Sequence, residues 1–212
     1  MNVFNYNLKY PNNYMSLFSK FFGSINPASE EEKENDISSP DNAMSIDEQF
    51  IFNFKKNGGK FLYCENIKEI EEQFENILEE NDWYESEVMC YDPKLFKLLE
   101  DNKLSHSGSL SPKFIFASCE NLIAEEGSIL FSSKQIKQHK PNELPTNIVV
   151  FATTSQILAV KSDGLSAIKK KYERDYPTNI TTIKYFEKAK EEDFTQYGSS
   201  AKNLYLLLLE DL

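Results

Sequence analysis

Apolar residues at positions 67, 70, 74, 77 and 78 fall on one stripe of a helix, and the residues between them are mostly glutamate, lysine and asparagine. That spacing predicts an amphipathic helix beginning at Asn66, with one face against a core. A helix before it is marked by Ser45-Ile46-Asp47-Glu48, a capping box in which the serine oxygen accepts a first-turn amide and the glutamate reaches back. It is predicted to run to Asn57, with Gly58-Gly59 ending it through a left-handed residue. A third helix opens at Asp92-Pro93, aspartate as N-cap and proline in the first turn. A fourth is predicted over Asp163–Arg174, burying Leu165, Ile168 and Tyr172.

Between these helices lie short apolar runs of strand character: Lys60–Cys64, Glu87–Tyr91, Phe114–Ala117, Ser128–Phe131, Asn147–Ala152, Asn179–Tyr185 and Leu204–Leu209. Several are apolar throughout rather than alternating, as expected of strands covered on both faces. Strands alternating with helices predict an α/β fold, a largely parallel sheet with flanking helices on both sides. Lys134–Asn142 is polar and reads as a mobile connection. Residues 1–44 differ from the rest. Tyr14–Phe22 predicts a short amphipathic helix, with Met15, Phe18 and Phe22 on one face, and Gly23–Asn42 has the composition of an acidic, flexible linker. The short helix would be marginal alone; docking on its own domain is the preferred reading, with binding another protein or fraying as the alternatives. The folded domain is therefore placed at 45–212.

Composition narrows the function classes. The 212 residues suit one domain with a sizeable core. A formal charge of -11 argues against non-specific nucleic-acid binding and against an anionic membrane surface. No run approaches the roughly 18 apolar residues that span a bilayer, and Met1–Tyr10 lacks the basic and apolar regions of a secretory signal, so a cytoplasmic location is expected. Cys64, Cys90 and Cys119 are far apart, and His106 and His139 have no suitably spaced partner. Neither a zinc nor an iron–sulfur site is predicted, and no cofactor is called for.

Candidate chemistry concentrates in Ala117–Ser133, where two strand-like runs are joined through Glu120, Glu125, Glu126 and Gly127. Gly127 is free to take a positive φ where the chain reverses. Carboxylates beside a glycine can hold a ligand or act as a base, and they can equally be a solvated turn. In open α/β sheets ligands gather beyond the carboxyl ends of strands, which would let Glu120 and Thr153–Gln156 face one cleft. Cys119 reads as an inert small side chain rather than a nucleophile. Ser132 and Ser133 can contact an anion or satisfy backbone groups, and Gln156 can bond a ligand or cap its turn.

The segment from Ser118 to Ile129, S-C-E-N-L-I-A-E-E-G-S-I, followed by Leu144-Pro145-Thr146-Asn147-Ile148-Val149-Val150 and Ser155-Gln156-Ile157, resembles the LUD domain of LutC-like lactate-utilisation proteins. Gly198–Leu209 is similar to the family's closing glycine turn and apolar strand. The resemblance implies a fold like that of the NagB/RpiA sugar-phosphate isomerases, the CoA transferases and the formyltetrahydrofolate cyclo-ligases. It also implies an accessory role in bacterial lactate utilisation beside iron–sulfur oxidoreductase partners. The family's late glycine-proline and arginine turn has no counterpart in Ile180–Gln196, Asn147 stands where histidine is usual, and Glu126 replaces a threonine. A divergent branch with an altered pocket is expected.

Three functions follow as alternatives. The first is the accessory role. The second is a small-molecule enzyme acting on a phosphorylated, CoA or folate-type substrate, with Glu120 or Glu125 as base or nucleophile and Gly127–Ser128 amides stabilising charge. The third is a non-catalytic interaction module using Tyr14–Phe22. Candidate ligand-binding residues are Glu126, Gly127, Ser128, Ser132, Pro145, Thr154, Ser155, Gln156 and Gly198, with a small anion as the candidate ligand; no oligomeric state is specified.

Overall fold

The computed structural model describes residues 44–106, 111–186 and 202–211, all within the unit Asn42–Leu212. The expectations for Tyr14–Phe22, the acidic linker and Gly198 lie outside these residues, as does the part of the late Ile180–Gln196 region beyond Phe186. Helix α1 (Ile46–Lys56) begins at the Ser45 capping box, and Glu48 closes it from N3. It ends as Gly58 adopts φ 86°, with the Gly59 amide donating back to the Phe54 carbonyl at 3.0 Å. Strand β1 (Lys60–Cys64) follows, then α2 (Ile67–Asn81), capped by Asn66 and buried along Ile70, Phe74, Ile77 and Leu78. After β2 (Val88–Met89), Asp92 caps α3 (Pro93–Asp101), which buries Leu95 and Leu99.

Strand β3 (Phe114–Ser118) leads into the hairpin of β4 (Asn121–Ile123) and β5 (Ser128–Ser132). Then come the short helix α4 (Ser133–Ile136), β6 (Asn147–Thr153), β7 (Ile157–Leu158), α5 (Lys161–Lys171), β8 (Ile180–Ile183) and β9 (Asn203–Leu209). Single 3₁₀ turns sit at Pro141–Glu143 and Thr154–Gln156.

Two sheets organise the fold. The main sheet has the order β1-β9-β6-β3-β2 and every pairing in it is parallel. This matches the expected α/β class. A second sheet, β7-β4-β5-β8, is antiparallel except where β4 meets β7, and the sequence pattern does not announce it. Expected flanking helices on both sides become helices α2 and α3 on one face, and α1 with the second sheet on the other. On the first face Phe74 stacks on Phe116 at 4.8 Å and Trp83 on Phe114 at 4.7 Å, between α2, α3 and the strands. On the second face α1 contributes Phe50, Ile51 and Phe54 to a core shared by Ala117, Val150, Leu206 and the inner side of β4 and β5. Helix α5 covers the outer side of the second sheet through Ile168, against Ile123 and Leu130.

Two local expectations need correction. Leu165 lies 38% exposed, because α5 begins at Lys161 and directs Gly164 and Ile168 inward instead. The supposed mobile run after Lys134 holds α4, whose Gln135 and Ile136 are buried. The described residues contain no helix long and apolar enough to cross a membrane.

Candidate functional site

At Ser118 the chain leaves the main sheet, and Cys119–Glu120 carry it into the second. Glu120 stands at this junction, 4% exposed. Its Oε1 accepts from Ser132 Oγ at 2.6 Å, Gln135 Nε2 at 2.9 Å and the Tyr172 hydroxyl at 3.0 Å. Its Oε2 accepts from Lys171 Nζ at 2.8 Å. Burial pushes the carboxyl upward, yet the hydrogen bonds from Lys171, Ser132 and Gln135 outweigh it and hold Glu120 below the usual carboxylate range. Burial lowers Lys171, but its bonds to Glu120 and Tyr172 prevail and raise it. This charged pair joins β4, β5, α4 and α5 at one point.

Ser132 has a second task. It caps α4, its Oγ accepting from the Lys134 amide at 3.1 Å, while its own amide donates to Gln135 Oε1 at 2.8 Å. The S-x-x-Q spacing was a readable signal for that cap, and Gln135 thereby reaches Glu120 as well.

The acidic turn between β4 and β5 lies at the other end of the hairpin. Helix α1 clamps it: Asn53 Nδ2 donates to the Ala124 carbonyl at 2.8 Å, and Asn57 Nδ2 to the Glu126 carbonyl at 2.7 Å. Gly127 has φ 59°, and a Cβ there would lie 2.3 Å from the Asn53 carbonyl carbon and 2.4 Å from the Phe54 nitrogen. Its glycine is thus required twice, by conformation and by the close approach of α1. The Gly127 amide donates to the Ala124 carbonyl at 3.3 Å. Glu125 Oε1 accepts the Lys161 amide at 3.0 Å, capping α5, whose N-cap Val160 supplies no side-chain bond. Glu126 accepts from Ser128 Oγ at 3.0 Å.

The turn after β6 meets the junction through Gln156. Its Nε2 donates to the Cys119 carbonyl at 2.8 Å and the Glu120 carbonyl at 3.2 Å, and its Oε1 accepts the Thr153 amide. Gln156 therefore fastens the carboxyl ends of β3 and β6 together. Thr154 and Ser155 turn toward Asp211 instead: Oδ1 accepts from Thr154 Oγ1 at 2.9 Å and the Ser155 amide at 2.8 Å, and Oδ2 from Ser155 Oγ at 2.7 Å. Burial raises Asp211, but these bonds outweigh it and leave its carboxyl lowered. Pro145 sits before β6, at the amino end of the same strand. The candidate residues consequently occupy separate places: Glu120 and Ser132 at the junction, Glu125, Glu126, Gly127 and Ser128 under α1, Thr154 and Ser155 at the carboxyl edge, Pro145 at the opposite edge.

All three cysteines are buried and unpaired; burial pushes the Cys64 thiol up to about 12, Cys90 to about 11, and Cys119 beyond the range of a reactive thiol. Among the described residues no three His, Cys, Asp or Glu side chains converge as a metal site. Asn53, Asn57, Gln135 and Asp211 escaped the sequence reading, while the sequence predicts Tyr172 only as a packed helix residue and Lys171 only as part of a solvated basic cluster, Lys169–Lys171. The two asparagines one helical turn apart, flanking Phe50 and Phe54, were the available signal for the clamp.

No protein-family model matches the chain, and no curated protein does. Among solved structures, the chain is similar to a DUF162 family protein from Deinococcus radiodurans, with a TM-score of 0.55 and 12% identity. The match covers 78% of this chain and 96% of that one. At this identity the likeness is one of fold.

Proposed function

We propose that the chain is a LUD-domain protein serving as an accessory component of organic-acid utilisation, with lactate as the acid and iron–sulfur oxidoreductase subunits as its partners. Two things support the family. The similar fold belongs to a DUF162 protein, which is the LUD-domain family, and the ordered motifs from Ser118 to Ile157 resemble that family's. The accessory role rests chiefly on one observation: Glu120, the central carboxylate of the resembling segment, has both oxygens engaged by Lys171, Tyr172, Ser132 and Gln135. A general base needs a free lone pair facing its substrate, whereas Glu120 is held as an ionised strut by β5, α4 and α5. Oxidation of a hydroxy acid also needs an electron acceptor, which side chains of these types do not supply. The redox step then falls to a partner.

The test is affinity purification of the tagged full-length chain from its source grown on lactate, together with growth of a deletion strain. Co-elution of polypeptides carrying iron–sulfur absorbance, and loss of growth on lactate, are expected. An eluate without clusters and unimpaired growth on lactate would overturn the reading.

A further inference from the structure

We propose that Tyr91, Lys137 and His139 form a binding site for a small oxyanion at the carboxyl end of β2. Loops beyond the carboxyl ends of parallel strands are where open α/β sheets lodge ligands. Tyr91 follows β2 by two residues. Met89 packs into the core on the face that carries α1 and the second sheet, so strand alternation sends Tyr91 to that same face. There it meets the segment after α4. The Tyr91 hydroxyl and His139 Nε2 lie 3.1 Å apart, with the two rings inclined at only 13° and their centroids 6.2 Å apart. Lys137 Nζ stands 5.3 Å from the Tyr91 ring centroid. An ammonium, a phenol and an imidazole thus share a corner: with His139 Nε2 donating to the Tyr91 oxygen, the phenol proton and the Lys137 ammonium are left for one acceptor.

The backbone of Lys137 supplies an independent observation. It has φ 54° and ψ -135°, a conformation a side chain with a Cβ avoids, while its amide closes α4 on the Ser133 carbonyl at 3.1 Å. Glycine would close the helix there without strain. A lysine in its place keeps an exposed ammonium over Tyr91, the kind of strain that persists at binding sites. Charge points the same way. The chain carries -11 overall, yet residues 133–142 contain Lys134, Lys137, His139 and Lys140 and no carboxylate. Lys134 pairs with Asp175, whereas Lys137 has no carboxylate partner among the described residues. The neighbouring Asp92 is turned away, its oxygens accepting from the Lys94 amide at 3.0 Å and Ser118 Oγ at 2.7 Å.

A carboxylate or a phosphate fits this donor set, and the two are separable by titration. The full-length chain has only two histidines, so their ring protons resolve by NMR. His106, stacked on Phe96 at 4.1 Å, serves as the internal control. L-lactate, pyruvate and inorganic phosphate are added separately at ionic strength held constant with chloride. At least one should move the His139 resonances saturably and leave those of His106 in place; saturation by the organic acids alone identifies a carboxylate site, by phosphate alone a phosphate site. Lys137→Gly suits the backbone conformation at that position, so the fold is retained, and binding should weaken at least tenfold. A His139 signal that none of the probes moves beyond chloride, or a Lys137→Gly chain that titrates like the native one, would overturn the proposal. Partner capture is a separate readout, so either idea can fail without the other.

Discussion

Gly127 and Glu120 occupy the two ends of one hairpin, and each is constrained by its neighbours rather than by its own turn. Gly127→Ala would place a methyl group 2.3 Å from the backbone of α1 while keeping φ at 59°. The left-handed conformation alone costs about 1–2 kcal/mol, and displacing α1 adds to it, so denaturant unfolding should record a loss above roughly 2 kcal/mol. Glu120→Gln keeps the shape of the side chain but removes the charge facing Lys171. Hydrogen bonds to a charged group contribute about 1.5–3 kcal/mol; with Lys171 56% exposed, the lower half of that range applies. The sign of the pH dependence follows from the lowered Glu120 carboxyl. Its contribution is complete above the unfolded value of about 4.3 and is lost as pH falls through the lower native value. The stability gap between the native chain and Glu120→Gln should therefore be full at pH 7 and close in acid. A gap that widens on acidification would contradict the assignment of Glu120 as an ionised strut.

Helix α5 shows how an element can depend on a residue far away in sequence. Val160 offers its N-terminus no side-chain acceptor, and Glu125 fills that position from the hairpin turn. Glu125→Ala should cost about 1 kcal/mol and raise hydrogen exchange in the first turn of α5 more than in α2. Equal exchange in both helices would show that the cap is not needed. The same dependence explains what was legible. The stripe of α2, the Ser45 and Asp92 caps and the apolar runs of β3, β6 and β9 are local patterns, and they appear where expected. Strands β4 and β7 have three and two residues, too short for any periodicity to register. Their existence depends on pairing with each other and with β5, which is information a window along the chain does not contain. Among the candidate residues, Glu120 and Gly127 were found because their types are unusual for their surroundings; the partners that define their roles, Lys171 and Asn53, lie 51 and 74 positions away.

The whole molecule is closed by its last strand. Among the described residues β1 pairs only with β9, and β9 lies between β1 and β6 in the main sheet. Strand β1 therefore waits for residues some 140 positions later, and such distant pairings carry a large loop-closure cost before they are rewarded. Tyr205 in β9 also anchors the opposite layer: its hydroxyl receives Lys60 and Asn81, and its ring meets the edge of Trp83 at 6.3 Å. Trp83 is the single tryptophan, buried between Phe114 and Tyr205, so its emission reports closure of the sheet. A chain ending at Lys202 would leave β1 without a strand partner and uncover one side of β6. It should lose cooperative unfolding altogether and show Trp83 emission shifted to that of a solvated indole. Point substitution separates closure from general instability. Leu207→Ala, buried on the α2 face of β9, should cost about 2–5 kcal/mol yet keep a single transition, because the strand still bridges β1 and β6. If the truncated chain instead unfolds cooperatively with native-like Trp83 emission, β9 is an addition to a sheet that forms without it.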